Sequence, residues 1–106
     1  MSAITLVVTT VSDCEAGVAL VKSLLGRRVI ACGQIFPEGR SLYRWKGELR
    51  DETECTVLLK TSLVLKDRIA DLVCKNHPYE LPEILVFEVD ATPEYSSWVA
   101  QEVQES

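Results

Sequence analysis

The residues able to do chemistry are few and widely spaced. A single histidine, His77, stands in the segment His77-Pro78-Tyr79-Glu80-Leu81-Pro82-Glu83, where two prolines restrict the backbone. An imidazole held in a rigid loop, with thiols or carboxylates nearby, is a sensible soft-metal ligand. A tetrahedral site needs about four ligands, and no local spacing supplies them. The others would have to converge through the fold or from other subunits; without them, a loop histidine serves hydrogen bonding or packing. Cys14, Cys32, Cys55 and Cys74 form no Cys-x-x-Cys pair and fit neither a zinc ribbon nor a redox motif. They read as reduced thiols, mostly small buried hydrophobes, with Cys14 an exposed thiol in a capping turn. Glu54 and Lys60 are charged residues of one strand, which cross-strand pairing explains. There is no Gly-rich phosphate loop and no nucleophile elbow, so the chain reads as a non-enzyme.

Composition narrows the partners. A net charge of −5 argues against nucleic acid, because phosphate binding depends on clustered Lys and Arg. The one basic pair, Arg27-Arg28, falls at an expected helix end, where cations oppose the helix dipole. Apolar runs such as Ile84 to Phe87 are far too short for membrane insertion. The opening Met1-Ser2-Ala3-Ile4 has no charged leader ahead of an apolar block, so no signal peptide is expected and the cytoplasm is the default location. The 106 residues have room for one domain, 1–106.

The elements that must position these residues follow from periodicity. Ile4 to Thr9 is apolar and β-branched on both faces, as in a strand covered on both sides. Ser12-Asp13-Cys14-Glu15 has the form of a capping box with Ser12 at the N-cap. Ala16, Ala19, Leu20 and Leu24 continue at helical spacing to a stop at Gly26. A second strand starts at Val29, is interrupted near Pro37 and Gly39, and resumes through Tyr43 and Trp45 to a turn at Lys46-Gly47. Its partner runs from Glu52 to Thr61, with Cys55, Val57 and Leu59 on one face. A helix beginning near Ser62 carries Leu65, Ile69, Leu72 and Val73 as its apolar stripe and ends before Pro78. A strand over Ile84 to Val89 and a final helix capped by Thr92-Pro93 complete the chain. The order predicts an α+β fold, ferredoxin-like βαββαβ with an extra C-terminal helix and a long hairpin between the second and third strands.

The hairpin is longer than such a domain requires. Val29 to Trp45 would reach roughly 55 Å if fully extended, against a radius of gyration of about 13 Å for a domain of this length. Such an arm must bend sharply, project into solvent or lie on a neighbouring subunit. A turn at Lys46-Gly47 sets Trp45 opposite Glu48 and Tyr43 opposite Arg50. Aromatic side chains on a projecting arm favour association with other copies.

These residues also resemble a known family. Ala31-Cys32, Pro37 and Ser41-Leu42-Tyr43-Arg44-Trp45-Lys46-Gly47 are similar to the A-C…I-P-x-x-x-S-x-Y-x-W-x-G signature of the CutA divalent-cation tolerance proteins. Glu54 with Lys60-Thr61, the His77 to Glu83 segment, and Tyr95 with Trp98 fit further motifs of that family in the same order. The resemblance implies a ferredoxin-like subunit in a tight homotrimer, a role in divalent-metal tolerance or response, and no catalysed reaction. It implies Cu(2+) or another divalent cation as ligand, with His77 and Cys32 as the metal contacts. Thr9 and Asn76 stand where the copper-linked bacterial pattern has a cysteine and a second histidine. The architecture also resembles the trimeric PII signalling proteins. That likeness implies an alternative, a sensor binding a small metabolite or anion in clefts between subunits lined by Tyr43, Trp45, Arg50, Glu54, Lys60 and His77.

Overall fold

The computed structural model describes residues 1–104, so the last two residues of the expected 1–106 domain lie outside the described residues. The elements are β1 (Ser2–Val11), α1 (Cys14–Gly26), β2 (Cys32–Ile35), β3 (Gly39–Trp45) and β4 (Glu48–Ser62). They are followed by a 3-10 turn (Leu63–Leu65), α2 (Ile69–Asn76), β5 (Ile84–Ala91) and α3 (Pro93–Glu102). The sheet runs β2-β4-β1-β5, antiparallel throughout, with β3 paired to the outer half of β4. With β2 and β3 counted as one interrupted strand, this is the expected ferredoxin-like order.

The interruption is a bulge. Between the pairs Ile35–Val57 and Gly39–Glu54, β4 advances three residues while the opposite strand advances four. The extra residue falls where Pro37, which has no amide proton for the ladder, leaves pairing unsupported. The strand also starts later than its β-branched sequence suggests. Thr61 Oγ1 donates to the Val29 carbonyl at 2.7 Å, so a side chain replaces the ladder bond there. Beyond the bulge β4 has only β3 as neighbour, and the two form an arm that lengthens the subunit to 45 × 25 × 24 Å. Lys46 (φ 51°) and Gly47 (φ 81°) both lie in the left-handed region, which gives the primed two-residue turn whose twist suits a hairpin. Trp45 faces Glu48 and Tyr43 faces Arg50, as the turn position requires.

Helix ends differ in detail from the sequence reading. The N-cap of α1 is Asp13, not Ser12: Asp13 Oδ1 accepts from the Ala16 amide at 2.8 Å. A carboxylate at this end also meets the helix dipole favourably, an advantage a hydroxyl lacks. At the other end the left-handed residue is Arg28 (φ 58°) rather than Gly26. The Arg28 amide donates to Leu25 and the Val29 amide to Leu24, the paired bonds of a Schellman stop. The expected continuous second helix breaks into the 3-10 turn and α2, while Leu65, Ile69 and Val73 keep their buried stripe. α3 begins as expected, with Thr92 at the N-cap and Pro93 following.

Two layers of helix flank the sheet unequally. α1 and α2 pack Leu20, Val21, Leu24, Ile69 and Val73 against Val7, Val11, Cys55, Val57 and Leu59. Gly33 is required here, because a Cβ at that position would stand 2.6 Å from both methyls of Val21. On the opposite face α3 covers only one end, placing Val99, Val103 and Tyr95 over Ile4 and Val89. Register puts Leu85, Val8 and Leu58 in one cross-strand row of that face, and Phe87, Leu6 and Lys60 in the next. Leu85 and Phe87 are 46% and 45% exposed, and Leu6, Val8 and Leu58 are half-buried. Among the described residues, α3 leaves Leu85 and Phe87 of this apolar face open to solvent.

Candidate functional site

Alternation along the arm directs Tyr43 and Trp45 to the same side as Arg50, Glu52 and Glu54. The loop after α2 stands opposite them. Together they enclose an open groove of about 1020 Å³, lined by those five residues and by Pro78, Tyr79, Glu80, Leu81, Pro82 and Glu83, with Thr10 and Ser12 at its base. Tyr79 Oη bridges the two walls by donating to Glu54 Oε2 at 2.8 Å. Burial and, after it, that carboxylate push the Tyr79 phenol well above its usual range, so it stays a donor. Tyr43 Oη donates to Glu52 Oε2 at 3.1 Å, and Arg50 lies 3.9 Å from the other oxygen of Glu52. The lining thus carries Glu52, Glu54, Glu80 and Glu83 against Arg50 alone, which favours a cationic over an anionic occupant.

His77 sits behind this wall as the C-cap of α2, and both of its ring nitrogens are occupied. The Tyr79 amide donates to Nδ1 at 3.1 Å, so Nε2 must carry the proton and donate to the Thr10 carbonyl at 2.8 Å. A neutral imidazole in one tautomer therefore orients the start of the loop against the end of β1. Burial pushes the His77 pKa down, against the opposing pull of the Thr10 carbonyl and Glu54. A second proton would also place two donors face to face at Nδ1 and the Tyr79 amide. The folded pKa thus lies below the unfolded value of about 6.5. Above that value both states are neutral and no stability is lost. As pH falls through it the unfolded chain takes up the proton first, and the folded state loses stability until the lowered pKa is passed. Urea midpoints at pH 7.5 and 5.5 should therefore fall further for wild type than for His77→Gln; equal falls would remove this role.

Cys32 lies elsewhere. It is half-buried on β2 opposite Lys60, in the Leu6 row of the uncovered face. Thr10, which holds His77, is four residues further along β1, roughly 13 Å at the usual strand rise. The structure does not bring His77 and Cys32 together, and no three His, Cys, Asp or Glu side chains among the described residues could share a metal ion. Thr9 is fully buried with its hydroxyl unpartnered. Asn76 is spent on structure, donating to the Leu72 carbonyl and accepting from Ser23 Oγ. Within one subunit, these residues do not fit a shared metal site.

Of the residues expected along a cleft, Tyr43, Trp45, Arg50 and Glu54 do line the groove. Lys60 does not: its Nζ lies 5.9 Å from the Tyr95 ring on the uncovered face. Sequence reasoning did not single out Glu52 or place Tyr79 in the groove. The Arg50, Glu52, Glu54 alternation could have signalled Glu52, but only the fold brings Tyr79 to Glu54.

The comparisons with known proteins agree with this architecture. The family described as CutA1 divalent ion tolerance protein matches residues 5–102. A Danio rerio protein named as a CutA homolog is 38% identical over 78% of this chain, and the match spans 56% of that relative's length. The divalent-cation tolerance protein CutA of Pyrococcus horikoshii is 34% identical over 93% of this chain and 97% of its own. Among solved structures, the PII-like protein CutA from Nostoc sp. PCC 7120, in its apo form, superposes with a TM-score of 0.86. It is 32% identical, covering 96% of this chain and 99% of that one. With its sequence matched nearly end to end and its fold shared, the chain belongs to the CutA divalent ion tolerance family.

Proposed function

We propose that this protein acts as a cytoplasmic homotrimer in divalent-metal tolerance or response, with copper the leading ion, and without catalysing a reaction. The observation that carries the assembly is the uncovered apolar sheet face around Leu85 and Phe87. A face of this kind on a soluble chain marks a protein contact, and the projecting arm offers a second one. The number three comes from the family resemblance. His77 and Cys32 remain the proposed metal contacts, and each would need ligands from another subunit. A metal on His77 would also displace the Thr10 or Tyr79 hydrogen bond. Calorimetry with Cu(II) on the assembled protein should give weaker binding for His77→Ala than for wild type. Equal affinities would take His77 out of the site, and a monomer in light scattering would remove the assembly.

A second reading is supported by the groove and by the likeness to the Nostoc PII-like structure. In it, a small effector binds between the arm and the His77 to Glu83 loop. The acidic lining argues for a cationic or neutral effector rather than an anion. A thermal-shift response to such compounds that Glu54→Gln weakens would support this reading; a response to copper alone would defeat it.

A further inference from the structure

Cys14 Sγ and Cys55 Sγ lie 3.1 Å apart, although 41 residues separate them in sequence. The fold itself creates this approach. Cys55 stands opposite Val11 at the last β1–β4 pair, and the chain then turns through Ser12 and Asp13 to place Cys14 in the first turn of α1. Two thiolates on one tetrahedral zinc, each at about 2.3 Å, would be roughly 3.8 Å apart, wider than this spacing, and no third His, Cys, Asp or Glu among the described residues joins the pair to hold a metal. The two sulfurs are unequal in access, since Cys14 is exposed and Cys55 is fully buried.

We infer that Cys14 and Cys55 form a thiol–disulfide exchange site, in which Cys14 receives a low-molecular-weight thiol from its disulfide and Cys55 resolves the adduct. In the first step the Cys14 thiolate attacks R–S–S–R, the S–S bond breaks, and RS⁻ leaves to be protonated as RSH. In the second, the Cys55 thiolate attacks Cys14 Sγ, forms the Cys14–Cys55 disulfide and expels the second RSH. Two protein thiols are oxidised, one external disulfide is reduced, and the two thiol protons leave on the two RSH molecules. The order follows from access, because an oxidant reaches Cys14 first. The Cys55 thiol is held to about 11 by its hydrogen bond with Cys14 and then by burial, with Glu38 and Asp13 adding to the effect. The hydrogen bond with Cys14 is lost once Cys14 carries the adduct, and the first cause of the raised value goes with it. The new bond would tie the start of α1 to the strand carrying Glu54, and Ser12 and Glu54 flank it in the groove wall.

The test is incubation of the folded protein with glutathione disulfide, followed by intact mass and peptide mapping, with circular dichroism on the same sample. The expected result is loss of two hydrogen masses and one linked peptide pair joining Cys14 to Cys55, with Cys32 and Cys74 absent from it. Cys55→Ala should instead retain glutathione on Cys14. The wild-type measurement stands by itself if that buried substitution fails to fold. Persistence of both thiols in folded wild type, unresolved glutathione on Cys14, or linkage to Cys32, Cys74 or another subunit would each overturn the inference.

Discussion

Phe87→Glu should dissociate the proposed assembly while leaving the subunit folded. Phe87 lies beside Leu6 on the sheet face that α3 leaves open, and 45% of its surface is exposed in the single subunit. Loss of its own intrachain burial is therefore modest. In an assembly sealed through that face, the substitution removes an aromatic anchor and buries a carboxylate whose row-mate Lys60 stands two strands away across Leu6. Truncating a central aromatic of an interface commonly costs about 2 kcal/mol or more, and burying a charge adds to that. Each subunit carries the change, so dissociation constants should rise by roughly 30-fold or more. Light scattering over a dilution series would show the shift to monomer, with far-UV circular dichroism unchanged. A variant that assembles like wild type would assign the interface to another surface. Lys60, in the same row, gives a local check: Phe87→Lys should disrupt assembly at least as strongly, since it adds a like charge.

Leu24→Ala should produce a large loss of stability. Leu24 is fully buried on α1 and belongs to the core that α1 and α2 form with β1 and β4. Its carbonyl also accepts the Val29 amide in the Schellman stop, so the side chain anchors the helix end before the chain enters the sheet. Removing such a side chain deletes its transfer free energy and leaves a cavity, together about 3 kcal/mol. That is a large fraction of the roughly 5–15 kcal/mol by which domains of this size are stable. Urea denaturation at fixed protein concentration should show a lowered midpoint with an unchanged slope. Val18 lies on the same helix but is exposed, and Val18→Ala should stay within about 0.5 kcal/mol of wild type. Equal effects of the two substitutions would mean that the buried face of α1 is misassigned.

The candidate site was only partly legible in the sequence. Tyr43, Trp45 and Arg50 were readable because a turn at Lys46-Gly47 fixes the register, and alternation then fixes the shared face. Tyr79 was not placed there, because a loop has no period that aims a side chain. His77 could be singled out by type, but the carbonyl that accepts its Nε2 proton lies 67 residues away. The same limit applies to the cysteines: linear spacing showed no motif among them, and the fold brings Cys14 to Cys55.

What the sequence by itself determined is whatever short-range geometry dictates. This includes the order of strands and helices, the apolar stripe of Leu65, Ile69 and Val73, the hairpin turn and its pairing, and the Thr92-Pro93 helix start. Each depends on a repeat of two or about 3.6 residues, or on the backbone limits of glycine and proline. Tertiary structure alone decided the late start of β2. It alone decided, too, that α3 would cover only one end of the second sheet face. These outcomes depend on which distant groups are available as partners or cover: the Thr61 hydroxyl for Val29, the Thr10 carbonyl for His77, and for Phe87 a neighbourhood that leaves 45% of it exposed. Local periodicity specifies which face of an element is apolar, but not what lies against it.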